Sequence, residues 1–229
     1  IAVVGVDSLR YFWKERTPQS AAADVDPIAQ HYLDGWDKKD LLLIGYSQGA
    51  DILPFVVNRL PAATREHVRL VAMLGLGVRA VFEFRLANWL SQSDDGLPIA
   101  PELQRMSSVR GLCVYSDEGD ESSCPDAASS TLRAVNLPGG HHFGGDYDRV
   151  AALILEGHAP AAREDADDVL VMVVARDHAA GERPDHVFGF EAAAIGVGLF
   201  EDRRHARLAD AVALGLGADQ GTEARMIAV

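Results

Sequence analysis

The chain has no apolar run approaching the roughly 18–20 residues that a membrane-spanning helix needs. It is also poor in positive charge. Lys and Arg total 21 against 34 Asp and Glu, a net charge of -13. That balance argues against nucleic acid or an anionic surface as the main partner and favours a neutral or cationic substrate. Cysteine is scarce, with only Cys113 and Cys124 present. A bond between them would clamp the acidic loop they flank and imply an oxidising compartment. Two unrelated buried thiols are the other reading, and composition does not choose. After residue 158 the character of the chain changes. Residues 161–229 contain no Ser, Lys, Asn, Cys, Trp or Tyr. This splits the chain into a domain over 1–158 and an extension over 159–229 of unknown nature, suspected to be unrelated to it, with its folding left open. Within the extension, Val169–Val174 reads as a strand and 203–214 as a helix.

What is present is globular, 48% hydrophobic and 24% charged over 229 residues, enough to bury a sizeable core. Apolar runs alternate with helical patterns. The expected strands are Ile1–Val6, Leu41–Ile44, Val68–Gly75, Gly111–Tyr115 and Leu132–Leu137. Thr17-Pro18 opens a helix running to about Leu33, with Asp34-Gly35-Trp36 ending it. A second helix follows Gly49 and stops at Pro61, and a last one covers about 146–156. Continuous apolar strands separated by helices predict a doubly wound α/β layer with a mostly parallel sheet. Residues 78–90 fit neither pattern; an excursion over the sheet's carboxyl edge and a surface hairpin are both open. The chain begins inside a strand, without Met, and is expected to be truncated at its start.

The chemistry centres on Gly45-Tyr46-Ser47-Gln48-Gly49, which directly follows an apolar strand and opens a helix. A nucleophile elbow requires that context, because side chains at the flanking glycine positions would collide with neighbouring backbone. A glycine-rich turn between strand and helix is the plainer alternative. A serine nucleophile needs a base, and the base needs an acid to hold its tautomer. In α/β-hydrolases they follow in the chain order Ser, acid, His. Here Ser47 is followed by Asp117, Glu118, Asp120 and Glu121 after the strand ending at Tyr115. Pro138-Gly139-Gly140-His141-His142 then follows the next strand. Asp120 is the preferred acid, since it leaves room for the turn; the other three are alternatives. His141 is preferred over His142 as base because the Pro-Gly-Gly lead-in lets a loop return over the sheet. A metal site at His141, His142 and Asp146 is disfavoured, since adjacent histidines on a loop seldom chelate one ion. No cofactor is called for. The N–H of Gln48 should serve as one oxyanion donor. The second normally comes from a loop after a strand that would precede Ile1. Between Asp7 and Trp13 lies an aromatic-dense loop that reads equally as a structural lid and as a pocket wall.

Several strings together resemble the bacterial virulence protein family VirJ/AcvB. They are residues 4–13 (Val-Gly-Val-Asp-Ser-Leu-Arg-Tyr-Phe-Trp), 45–51 (Gly-Tyr-Ser-Gln-Gly-Ala-Asp), 58–61 (Asn-Arg-Leu-Pro) and 138–143 (Pro-Gly-Gly-His-His-Phe), with the acidic loop from Cys113 to Cys124-Pro125. The resemblance covers about residues 1–158. It implies a periplasmic α/β-hydrolase that releases lysine from lysyl-phosphatidylglycerol, with a role in virulence and envelope homeostasis. It implies Ser47 as nucleophile and the His141/His142 pair as base. Periplasmic residence in turn favours the disulfide. Where the family usually carries phenylalanine after the nucleophile, this chain has Gln48. The expected substrate is a lipid or small ester with a cationic head group, which acidic residues such as Asp94, Asp95, Asp117 and Glu118 would receive, with peripheral membrane contact. A cutinase-like or generic carboxylesterase, and a non-catalytic secretion accessory on the same fold, are the alternatives.

Overall fold

In the computed structural model, residues 2–83, 96–119, 121–158, 168–175 and 199–202 are described. The chain opens with β1 (Ala2–Asp7) and a single helical turn, α1 (Ser8–Tyr11). α2 (Pro18–Gly35) begins at a reciprocal cap. Ser20 N–H donates to Thr17 Oγ1 at 3.0 Å and Thr17 N–H donates to Ser20 Oγ at 2.9 Å. Two orphan donors of the first turn are thereby satisfied, and Pro18 needs none. Trp36 caps the other end, where Asp34-Gly35-Trp36 is expected to stop the helix.

β2 (Asp40–Tyr46) leads into α3 (Gln48–Val57), a short α4 (Ala62–Arg65) and β3 (Val68–Leu74). All seven residues of β2 are buried, as a strand covered on both faces requires. Next comes a two-stranded ribbon in which β4 (Arg79–Ala80) pairs antiparallel with β5 (Leu97–Pro98). Phe82, just after β4, is buried with its ring edge-on to Phe12 and Phe55. The ribbon therefore has a hairpin's pairing and is also anchored into the domain. Asp94 and Asp95 lie outside the described residues.

α5 (Ala100–Arg105), β6 (Gly111–Tyr115), α6 (Cys124–Ala127) and β7 (Leu132–Asn136) complete one half of the sheet. α7 (Tyr147–His158), β8 (Val169–Ala175) and β9 (Leu199–Asp202) follow. The strand order is β7-β6-β3-β2-β8-β1-β9. Every pairing is parallel except that of β9 with β1. This is the α/β architecture expected from the alternation of strands and helices.

The order places the expected Val169–Val174 strand inside the sheet. The chain after residue 158 is not wholly separate from the domain, because β8 sits in the sheet between β1 and β2. Val169 pairs with Asp40 and Val174 with Gly45 on one side, while Leu170 pairs with Ala2 on the other. Val169 through Val174 are all buried. An apolar six-residue run satisfies a central parallel strand whatever the composition around it. The 203–214 segment lies outside the described residues.

Successive residues on the strands face opposite ways and build two cores. Leu41, Leu43, Met73, Met172 and Val174 pack with α2 and α3. Leu42, Ile44, Leu74, Val171 and Val173 pack with Val150, Leu153 and Ile154 of α7. The three-layer stack puts the carboxyl ends of β2, β3, β6 and β7 at one edge, and the candidate site lies there.

Candidate active site

Ser47 stands between β2 and α3 with φ 54° and ψ -122°. A non-glycine residue there is strained by about 1–3 kcal/mol and persists only where its surroundings hold it. The holding is visible on both sides. A Cβ on Gly45 would lie 2.4 Å from the carbonyl oxygen of Gly49, and a Cβ on Gly49 would lie 1.9 Å from that of Val174. Both glycines are thus demanded by backbone contact, one within the turn and one against β8. Ser47 N–H donates to the Leu74 carbonyl at 2.9 Å, fixing the turn to the end of β3. The N–H of Gln48 is the first of α3, one of the donors a helix start leaves without an intrahelical partner. The side-chain amide of Gln48 donates instead to the Val81 carbonyl at 3.1 Å and ties the ribbon to the elbow.

The histidines arrive on a tight 3₁₀ segment, Gly140–Gly145. Its entry, Gly139, has φ 95°, and a Cβ there would meet Gly144 N at 2.1 Å, so the permissive Pro-Gly-Gly lead-in is used as such. The two rings then part. His141 packs over Gly75, whose added Cβ would lie 3.0 Å from His141 Cε1, and it lines the cleft that Ser47 lines. His142 Nδ1 lies 2.9 Å from the hydroxyl of Tyr46, which also donates to the His141 carbonyl at 3.3 Å. Of the pair, His141 is in the nucleophile's cleft. Burial pushes the Tyr46 phenol well above its usual value, so it stays a neutral hydrogen-bonding group. Phe143 is buried in the core on the α7 side.

The cleft holds about 200 Å³ and is lined by Ser47, Asp51, Gly75, Glu118, Glu121 and His141 among others. The expected acids take different positions. Asp117 is exposed, and its N–H donates to Asn136 Oδ1 at 3.4 Å. Glu118 Oε2 accepts the N–H of Gly139 at 2.9 Å and so braces the histidine turn. Glu121 is an exposed residue on the cleft wall. Asp120 lies outside the described residues. The loop that carries them is clamped by a disulfide between Cys113 in β6 and Cys124 in α6, with Cα atoms 5.7 Å apart. Ser123 N–H donates to the Gly77 carbonyl at 3.2 Å, joining the same loop to the segment after β3.

Asp51 was not expected in the site. It lies in the first turn of α3, where its N–H donates to the Ser47 carbonyl at 3.1 Å, and both residues line the cleft. Its Oδ1 accepts the N–H of Gly77 at 2.8 Å. Burial drives its carboxyl up to about 7, and the Gly77 bond offsets this only in part. The Ser-to-Asp spacing of four was the available signal. The Asp7–Trp13 loop is partly structural: Tyr11 and Phe12 are buried, and Tyr11 donates its hydroxyl to Asp24 Oδ2 at 2.5 Å. Trp13 is 67% exposed. Among the described residues, no group of three His, Cys, Asp or Glu side chains is arranged to hold a metal ion.

The family model for bacterial virulence protein (VirJ) matches residues 1–162. No curated protein matches the chain.

Proposed function

The chain belongs to the VirJ family of bacterial virulence proteins, and from that premise we propose that it is a periplasmic serine esterase. Its substrate is an aminoacyl ester of a phospholipid, of the lysyl-phosphatidylglycerol type. The observation that carries the reading is a serine held at positive φ at the start of a helix, with a histidine in its own cleft.

In the proposed reaction Ser47 Oγ attacks the acyl carbonyl carbon while His141 takes the hydroxyl proton. Asp120 is the proposed acid that orients the imidazole and stabilises its charged form. Negative charge grows on the carbonyl oxygen, where the Gln48 N–H and the start of α3 favour it. The bond to the glycerol oxygen then breaks, and His141 returns the proton to that oxygen. Water attacks the acyl-enzyme, again through His141, and releases the free amino acid with Ser47 restored. The Cys113–Cys124 bond supports an oxidising compartment. No helix among the described residues is long and apolar enough to cross a membrane. Exposed Trp13, Val78 and Leu97 lie on segments near the sheet edge that bears Ser47, and offer apolar footing for peripheral contact with a bilayer.

A fluorophosphonate probe tests the nucleophile. Ser47 should be labelled in the wild type, and labelling should vanish in Ser47→Ala. A folded wild type that resists the probe would instead favour the non-catalytic accessory role. Lipid extracts of a deletion strain test the substrate: lysyl-phosphatidylglycerol should accumulate, and unchanged lipid with intact labelling would point to a generic carboxylesterase.

A further inference from the structure

We infer that Asp51 is the ammonium-binding residue of the Ser47 cleft, and that the group it receives is the α-amine of the acyl moiety. The inference rests on the esterase reading and adds to it which amine is recognised. Asp51 and Ser47 line the same cleft four residues apart, joined by the Asp51 N–H to Ser47 carbonyl bond at 3.1 Å that opens α3, a rise of about 6 Å along a helix axis. In an α-aminoacyl ester the amine nitrogen lies about 2.5 Å from the carbonyl carbon, given ordinary bond lengths and angles. A carbonyl placed for attack by Ser47 Oγ therefore carries its α-amine within the span between the two side chains. A lysyl ε-amine ends a flexible four-carbon stem and would be carried past that span.

The electrostatics agree. Among the described residues the carboxylate of Asp51 has one donor, the neutral N–H of Gly77 at 2.8 Å, and no cation pairs with it. Asp51 is half-buried, and a largely desolvated carboxylate in that condition is costly unless a cation joins it. The other carboxylates of the cleft differ: Glu118 is engaged by Gly139, and Glu121 is exposed. Asp51 also lines the cleft in which the oxyanion would form. An acyl group without an α-amine leaves the two negative charges facing each other, whereas an α-ammonium sits between them. The same residue then attracts the right acyl group and rejects the wrong one.

Three glycerol esters of one chain length separate the amines: lysyl (both amines), norleucyl (α only) and 6-aminohexanoyl (ε only). Each kcat/KM is normalised to the ester's own hydroxide-catalysed rate. The wild type should treat lysyl and norleucyl esters within a few-fold of each other and cleave the 6-aminohexanoyl ester roughly 10- to 100-fold more slowly, the scale of one hydrogen bond to a charged group. Asp51→Asn, which keeps an acceptor for Gly77, should collapse that ratio to within a few-fold. A slow norleucyl ester beside a fast 6-aminohexanoyl ester would overturn the inference, as would a ratio that Asp51→Asn leaves in place. If the variant does not fold, the wild-type series decides alone. Absence of turnover on all three esters, with Ser47 unlabelled by fluorophosphonate, would bring down the esterase reading and this inference with it.

Discussion

Asp51 should make the protein less stable as the pH rises from about 4 to about 7. Its carboxyl is raised from the usual 3.8 to about 7 by burial. The sign follows from proton counting. Between those two values the unfolded chain has released the proton while the native chain still holds it, so the native state binds more protons and stability falls with pH. Below about 4 both states are protonated and the effect is absent. Above about 7 both are ionised and it is complete. The full displacement corresponds to about 4 kcal/mol, and because the side chain reaches the cleft and its water, about 2–4 kcal/mol is the working range. Asp51→Asn removes the titration while keeping the acceptor for Gly77 N–H. Denaturant unfolding of wild type and variant at pH 4 and pH 8, with the disulfide intact, isolates this carboxyl, since every other group is common to both. The variant should match the wild type at pH 4 and exceed it by about 2–4 kcal/mol at pH 8. Parallel pH profiles would refute the argument that burial governs this group. A carboxylate whose retention weakens the fold is one that activity has reason to keep.

Three further perturbations probe the frame around the site. Tyr46→Phe removes the hydroxyl that touches both histidine residues. Stability should fall by about 1 kcal/mol, and ester turnover should drop in kcat with KM little changed; an unaltered kcat would show that the turn holds His141 without it. Cys124→Ala opens the loop closed by the Cys113 bond, with an expected loss of about 3 kcal/mol for a loop of about a dozen residues. Denaturation under non-reducing conditions measures it, and equal midpoints would refute the clamp. Val171→Asp places a charge in the fully buried centre of β8, where an unpaired charge is costly enough to threaten the whole fold. A variant that melts like the wild type would mean that β8 does not occupy the sheet.

Much of the fold is readable because buried parallel strands are continuous apolar runs, and Leu41–Ile44 or Val68–Leu74 admit few other readings. Thr17-Pro18 marks a helix start with comparable force, since its hydrogen bonds are local. The histidines were a harder case. Gly139 and Gly140 show that the chain turns there, but which ring enters the cleft depends on Tyr46 and Gly75, which come from other strands. Glu118 reads as a candidate acid and is found bracing Gly139, a contact between two loops. Where the strand of the 159–229 extension would pair was unreadable for a related reason. Its composition differs from the rest of the chain, and composition carries no information about which strand edge an apolar segment will pair with.

The sequence by itself determined the strand-turn-helix at Ser47, because Gly45 and Gly49 are the residues such a turn tolerates, and it determined the order in which nucleophile, acidic loop and histidines meet the sheet edge. Only the tertiary structure decided that β8 lies against the elbow, that His141 shares the cleft of Ser47, and that Asp51 lines that cleft with no cation paired to it among the described residues. Local backbone geometry is set by neighbours in the chain. Sheet order, burial and the pairing of charges are set by residues distant in sequence, and they exist only once the chain has folded.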